Sequence, residues 1–72
     1  MNTNLSLTIP TFNRAKFLDY SLSINVPLAR KFDVPIYISD NNSSDDTFEI
    51  VQKWMKIYDF LFYSKNKKNL GP

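Results

Sequence analysis

Runs of strand length that stop in polar clusters constrain this chain most. Leu5-Ser6-Leu7-Thr8-Ile9 alternates apolar and polar residues and then enters Pro10-Thr11-Phe12-Asn13-Arg14. Ile36-Tyr37-Ile38 enters Ser39-Asp40-Asn41-Asn42-Ser43-Ser44-Asp45-Asp46-Thr47. Short alternating runs bounded by proline and Asx residues read as strands. Strands that alternate with helical stretches imply a parallel sheet joined by right-handed crossovers. In such a sheet ligands bind beyond the carboxyl ends of the strands. Both polar clusters are therefore expected to open into one shared crevice.

The stretches between the runs have helical spacing. From Ala15 to about Asn25, Phe17, Leu18, Leu22 and Ile24 fall on one broad face. Pro27 cannot sit in an unbroken helix interior without losing a hydrogen bond, so a kink or a second short turn through Leu28–Phe32 is predicted. Val34–Ser39 reads as the second strand, with Pro35 at its start. A helix is predicted from Ser44–Thr47 to Tyr58 or Asp59, carried by Phe48, Val51, Met55 and Tyr58 and widened by Ile50, Trp54 and Ile57. Phe60–Tyr63 is the third strand, and the polar remainder closes in a turn signal at Asn69-Leu70-Gly71-Pro72. The predicted fold is one three-layer, Rossmann-like β-α-β-α-β unit over residues 1–72. A parallel sheet this small normally continues, so the chain is expected to be the front of a larger domain.

Composition removes several chemistries. The chain has 72 residues, and a domain of that size buries only about 60% of its unfolded surface. It contains neither cysteine nor histidine, so disulfides, thiolate metal sites and the commonest general base are absent. A net charge of +2 is too weak to indicate nucleic acid, and no nucleic-acid partner is expected. Lys65, Lys67 and Lys68 read either as a solvated tail or as an anion-attracting patch. The N-terminus lacks the pattern of a signal peptide, and no apolar run approaches the roughly 20 residues of a membrane span. A cytoplasmic setting is expected, with a peripheral membrane location of a longer parent left open.

Several residues can carry chemistry. Asp40 and Asn41 offer acceptors and donors that suit a base edge or ribose hydroxyls, and equally suit Asx turns that hold the loop. Ser44–Thr47 reads mainly as helix capping. Asp40, Asp45 and Asp46 lack the glycine and distal glutamate of a calcium loop, and no metal site is assigned. Phe12, in a polar loop, can stack on a planar base or fold back onto the helix as a staple. Arg14 stands at a helix start, where the dipole disfavours a cation, and its fork suits phosphate oxygens.

Three segments in order, Leu5–Arg14, Ile38–Thr47 and Asn66–Pro72, resemble the opening of the family-2 glycosyltransferases with the GT-A fold. The resemblance implies the N-terminal part of a nucleotide-sugar-binding domain. It implies that Phe12 stacks on the base, that Pro10 and Thr11 line its pocket, that Asp40 and Asn41 read base and ribose, and that Arg14 approaches the phosphates. It also implies a nucleotide-diphosphate donor, UDP-type by preference, a glycan or other hydroxyl acceptor, and a divalent magnesium or manganese ion in the parent. The chain departs from the pattern at Asn41, where aspartate is frequent, and at Pro27 with its longer route to the second strand. The Asp-x-Asp motif and the catalytic base are expected beyond Pro72, so the 72 residues alone are expected to be inactive and to hold no cofactor. A bare edge beside the first strand is expected to favour self-association. The alternative is a small, non-catalytic α/β binding or interaction module.

Overall fold

The computed structural model describes residues 5–67, and the Asn69–Pro72 turn lies outside them. Five elements follow in the predicted order: β1 (Leu7–Thr11), α1 (Ala15–Phe32), β2 (Ile36–Asp40), α2 (Thr47–Ile57) and β3 (Leu61–Lys65). The strands lie in the order β1-β2-β3 and are parallel throughout. Leu7, Ile36 and Leu61 are in register at one end, and Thr11, Asp40 and Lys65 at the other.

Strand alternation decides where the core sits. Leu7, Ile9, Ile36, Ile38, Leu61 and Tyr63 share one sheet face and pack with Leu18, Leu22, Val26 and Ala29 of α1 and Val51 of α2. Burying each large aliphatic side chain contributes about 1.5–3 kcal/mol. The opposite face is exposed, and on it the rings of Tyr37 and Phe62 stack at 5.3 Å. Of the three-layer plan, the described residues supply the sheet and one helical layer. Asp19 joins the helices, accepting from Lys53 Nζ at 2.6 Å and Trp54 Nε1 at 2.7 Å. No helix among the described residues is long and apolar enough to cross a membrane.

Prolines account for two differences from the sequence reading. β1 runs on through Pro10 to Thr11. Leu7 N–H donates to Pro35 O on the β2 side, so by alternation the nitrogen of Pro10 faces the open edge, where no donor is needed. α1 is one continuous helix across Pro27, with neither the kink nor the second turn. Pro27 is exposed, while Leu18, Leu22, Val26 and Ala29 form a buried stripe on both sides of it. The solvent-facing position lets water take the carbonyl that Pro27 leaves unpaired, and the stripe holds the helix in line. α1 ends at Asp33 in the left-handed region (φ 55°), whose N–H reaches back into the last turn.

Candidate functional site

The three strand ends meet at one rim. Past the aligned Thr11, Asp40 and Lys65, the ladder continues one step: Asn41 N–H donates to Thr11 O and Asn66 N–H to Asp40 O, both at 2.9 Å. Phe12, Asn41 and Asn66 are thus the first residues beyond β1, β2 and β3.

Side chains lock the first two loops together. Asn13 and Asn42 adopt left-handed backbone (φ 50° and 65°), which Asx residues tolerate. Asn13 N–H donates to Ser43 Oγ at 2.8 Å, and Asn13 Oδ1 accepts from Ser44 N–H at 2.7 Å. Asp45 caps both helices. Its Oδ2 accepts from Ala15 N–H in the first turn of α1, and its Oδ1 accepts from the N–H and hydroxyl of Thr47 in the first turn of α2. The boundary residues Arg14 and Asp46 make no side-chain cap. The Thr47 hydroxyl first, and the N–H groups of Ala15 and Thr47 with it, hold the Asp45 carboxyl below its usual range against the opposing effect of burial.

Asp40 lies beneath this rim, 1% exposed. Its Oδ1 accepts from Ser43 N–H (2.9 Å) and Ser43 Oγ (2.6 Å), and its Oδ2 accepts from Tyr63 O–H (2.5 Å). Of its two sequence readings, the turn that holds the loop is the arrangement observed. Burial first, and then the bond to Asp40, raise the Tyr63 phenol well above its usual range.

Above the rim a cleft of about 750 Å³ opens beside β1. Pro10, Thr11, Phe12, Arg14 and Asn41 line it, while Asp40 does not. Phe12 is 42% exposed and lies outside the core cluster, so it is available to stack rather than spent as a staple. Arg14 is the one charged side chain among the described residues lining the cleft. The arrangement offers an aromatic face, amide groups and one guanidinium, a set suited to a planar, polar-edged group attached to an anion.

The sequence profile described as Glycosyl transferase family 2 matches residues 6–72. The chain belongs to this family. It is 43% identical to abequosyltransferase RfbV of Salmonella typhimurium over 70 residues, which are 94% of this chain and 21% of that protein. It is 38% identical to the GalNAc(5)-diNAcBac-PP-undecaprenol beta-1,3-glucosyltransferase of Campylobacter jejuni, covering 94% of this chain and 22% of that one. Chondroitin synthase of Pasteurella multocida is 33% identical, over 85% of this chain and 6% of the synthase. The chain thus spans about a fifth of the length of the first and second of these relatives and far less of the third. No solved structure matches the chain. The family assignment agrees with the observed β-α-β-α-β parallel sheet and with the resemblance of the three segments.

Sequence reasoning missed Asn66, Phe17 and Ser21, all of which line the cleft, and the clamp formed by Asn13, Ser43 and Asp45. Asn66 carried a usable signal. In a parallel sheet each strand contributes its first following residue to the same rim, so a third strand predicts a third rim position. The clamp had no such signal, because its partners are 30 residues apart.

Proposed function

We propose that the cleft takes the nucleotide part of a nucleoside diphosphate sugar, and that the chain is the donor-binding portion of a glycosyltransferase passing the sugar to an acceptor hydroxyl. The observation that carries this reading is the register that sets Phe12, Asn41 and Asn66 side by side at one rim, with Arg14 as the charge on the same cleft. Phe12 stacks on the base, Pro10 and Thr11 form the wall beneath it, Asn41 meets the base or ribose, and Arg14 approaches the diphosphate. Asp40 serves by holding Ser43 and Tyr63 beneath that wall. The cleft volume falls within the range of small-molecule sites. The relatives' names specify abequosyl and glucosyl transfer, which supports sugar transfer and leaves the sugar open. A uridine donor is the working expectation.

The divalent ion of such an enzyme does not fit the residues at hand. Among the described residues no three carboxylate, histidine or cysteine groups gather into a cluster. Asp40 is committed to Ser43 and Tyr63, and Asp45 to Ala15 and Thr47. We place the metal ligands and the acceptor's base in the part of a longer protein that these 72 residues do not include, and expect the 72 residues to bind donor without turning it over. β1, at the sheet edge, is proposed to pair with a second copy at high concentration.

Titration of the 15N-labelled chain with UDP tests the reading. The largest amide shifts are expected at Phe12, Asn41 and Asn66. Phe12→Ala is expected to weaken binding by about 1–3 kcal/mol, the worth of a base–aromatic stack. Absence of shifts at millimolar UDP and at millimolar CDP would sink the proposal.

A further inference from the structure

We propose that the outward face of α1 is a lipid-docking surface, which seats the helix lengthwise on an anionic bilayer. This surface is independent of the nucleotide reading, and its test needs no nucleotide.

A helix on the surface of a small domain is ordinarily apolar toward the core and polar toward water. α1 is apolar on both sides. Leu18, Leu22, Val26 and Ala29 form its buried stripe. Phe17, Tyr20, Ile24, Leu28 and Phe32 follow one another at intervals of three and four residues along a second stripe, and each is at least 46% exposed. Single exposed apolar residues are ordinary, but a contiguous row marks a contact surface. From Phe17 to Phe32 the row runs about 22 Å along the helix.

The charges decide the occupant. Of the four charged residues of α1, Lys16 and Lys31 border the row, while Asp19 is bonded to Lys53 and Trp54 of α2 and Arg30 to Ile57 O. Lys31 Nζ lies over the Phe32 ring, 5.5 Å from its centroid, at the margin between apolar and charged surface. A second copy fits this pattern poorly. Laid antiparallel and centred on Ile24, it sets Lys16 of one helix beside Lys31 of the other; laid parallel, it sets Lys31 against Lys31. A bilayer with anionic headgroups answers both features, since acyl chains take the aromatic and aliphatic side chains and phosphates take the lysines. Tyr20 suits the interface, with an apolar ring and a polar tip. The row starts at Phe17, which also lines the cleft, so a bilayer seated on α1 lies beside the cleft mouth.

Cosedimentation of the chain with vesicles of equal parts phosphatidylglycerol and phosphatidylcholine tests the surface. Binding is expected, weaker to phosphatidylcholine alone and weaker as salt rises. Lys31→Ala is expected to weaken it about fivefold, the worth of one cation at an anionic surface. The double variant Ile24→Glu with Leu28→Glu, at exposed positions outside the cleft lining, is expected to weaken it by about tenfold or more. Phe62→Glu, on the open sheet face, is the control and is expected to leave binding as it was. Equal losses in the control and the double variant overturn the proposal. So does the absence of binding to the anionic vesicles, whether the chain is then monomeric, which leaves the row to the rest of a longer protein, or forms a dimer that Ile24→Glu dissolves, which gives the row to a second copy. In bicelles holding a spin-labelled lipid, the unsubstituted chain is expected to show its strongest amide broadening between Phe17 and Phe32. Broadening centred on Tyr37 and Phe62 overturns the proposal even where a variant fails to fold.

Discussion

A tyrosine ties each end of the sheet, and the two use different acceptors. At the amino end, Tyr58 is buried and its hydroxyl donates to the main-chain carbonyls of Ala29 (3.1 Å) and Val34 (2.6 Å). At the carboxyl end, half-buried Tyr63 donates to the Asp40 carboxylate, which also holds Ser43. Main-chain carbonyls are present whatever the sequence, so the first knot asks for one residue only. The second is centred on the Asp40 side chain, and two of its three bonds come from the side chains of Ser43 and Tyr63, so it depends on the sequence at three positions. Only that second end carries the large cleft and the clamp between loops. The contrast teaches where the fold spends side-chain chemistry to shape a surface and where it merely closes.

The largest expected effect breaks the carboxyl-end knot at its centre. Asp40→Ala leaves the N–H and hydroxyl of Ser43 and the hydroxyl of Tyr63 without their acceptor in a buried place. Each buried donor left without its acceptor costs about 1–3 kcal/mol, and three lose theirs together. For a domain of this size that is most of its stability. Urea melts followed by circular dichroism are expected to show a chain unfolded or nearly so in water. A melt within 1 kcal/mol of the parent, on the order of an ordinary surface substitution, would mean that the knot is decorative.

Paired tyrosine variants sharpen the comparison. Tyr63→Phe leaves a carboxylate oxygen short of a donor and is expected to cost about 1.5–3 kcal/mol, whereas Tyr58→Phe loses bonds to neutral carbonyls and is expected to cost about 1 kcal/mol. Only Tyr63→Phe is expected to weaken nucleotide binding, because only its loss loosens Asp40 and the Asn66 backbone bond above it. Both phenols are held above their usual range, chiefly by burial. A raised folded-state value gives stability that is full below the unfolded value, about 10, and lost as pH rises beyond it. Each phenylalanine variant is therefore expected to lose less stability between pH 9 and 11 than the parent does, on the order of the pH range in which free tyrosine ionises.

How much of this was visible beforehand depends on the range of the interaction. The β-α-β-α-β order and the parallel sheet followed from local patterns, the alternation of Leu5–Ile9 and the helical stripe of Val51 and Tyr58. The positions of Phe12 and Asn41 followed from where those strands stop. Pro27 misled because its penalty depends on which side of the helix it faces, and the exposed side is set by the core stripe as a whole. Lys65 and Lys67 drew the reading of the last segment toward a tail and hid Asn66 between them. The capping of α1 by Asp45 joins residues 30 positions apart, and no local pattern announces it.

Asp45 belongs to the carboxyl end but stands at its surface, so its effect is expected to be smaller and pH-dependent. Asp45→Ala is expected to cost about 1 kcal/mol near neutrality, the usual worth of a cap. The Asp45 carboxyl is held below its usual range by Thr47 and Ala15. A lowered folded-state value gives stability present above the unfolded value and lost as pH falls through the folded one. Thermal melts are expected to show the gap between parent and variant closing as pH falls from about 5 toward 2, across the range where an aspartate protonates. A gap independent of pH would assign the loss to geometry alone.

The smallest effect is expected midway between the two ends, where Lys53 meets Asp19 at 2.6 Å. Both side chains are well exposed, 50% and 38%, so solvent screens the pair. The bond to Lys53 leads the effects that lower the Asp19 carboxyl, and the Trp54 bond follows it. Lys53→Ala removes only the screened partner and leaves the indole bond between the helices. It is expected to cost less than about 0.5 kcal/mol, to cost less still in high salt, and to leave nucleotide affinity unchanged. A loss of affinity here would show that the helix pair, and not the carboxyl-end knot alone, sets the shape of the cleft.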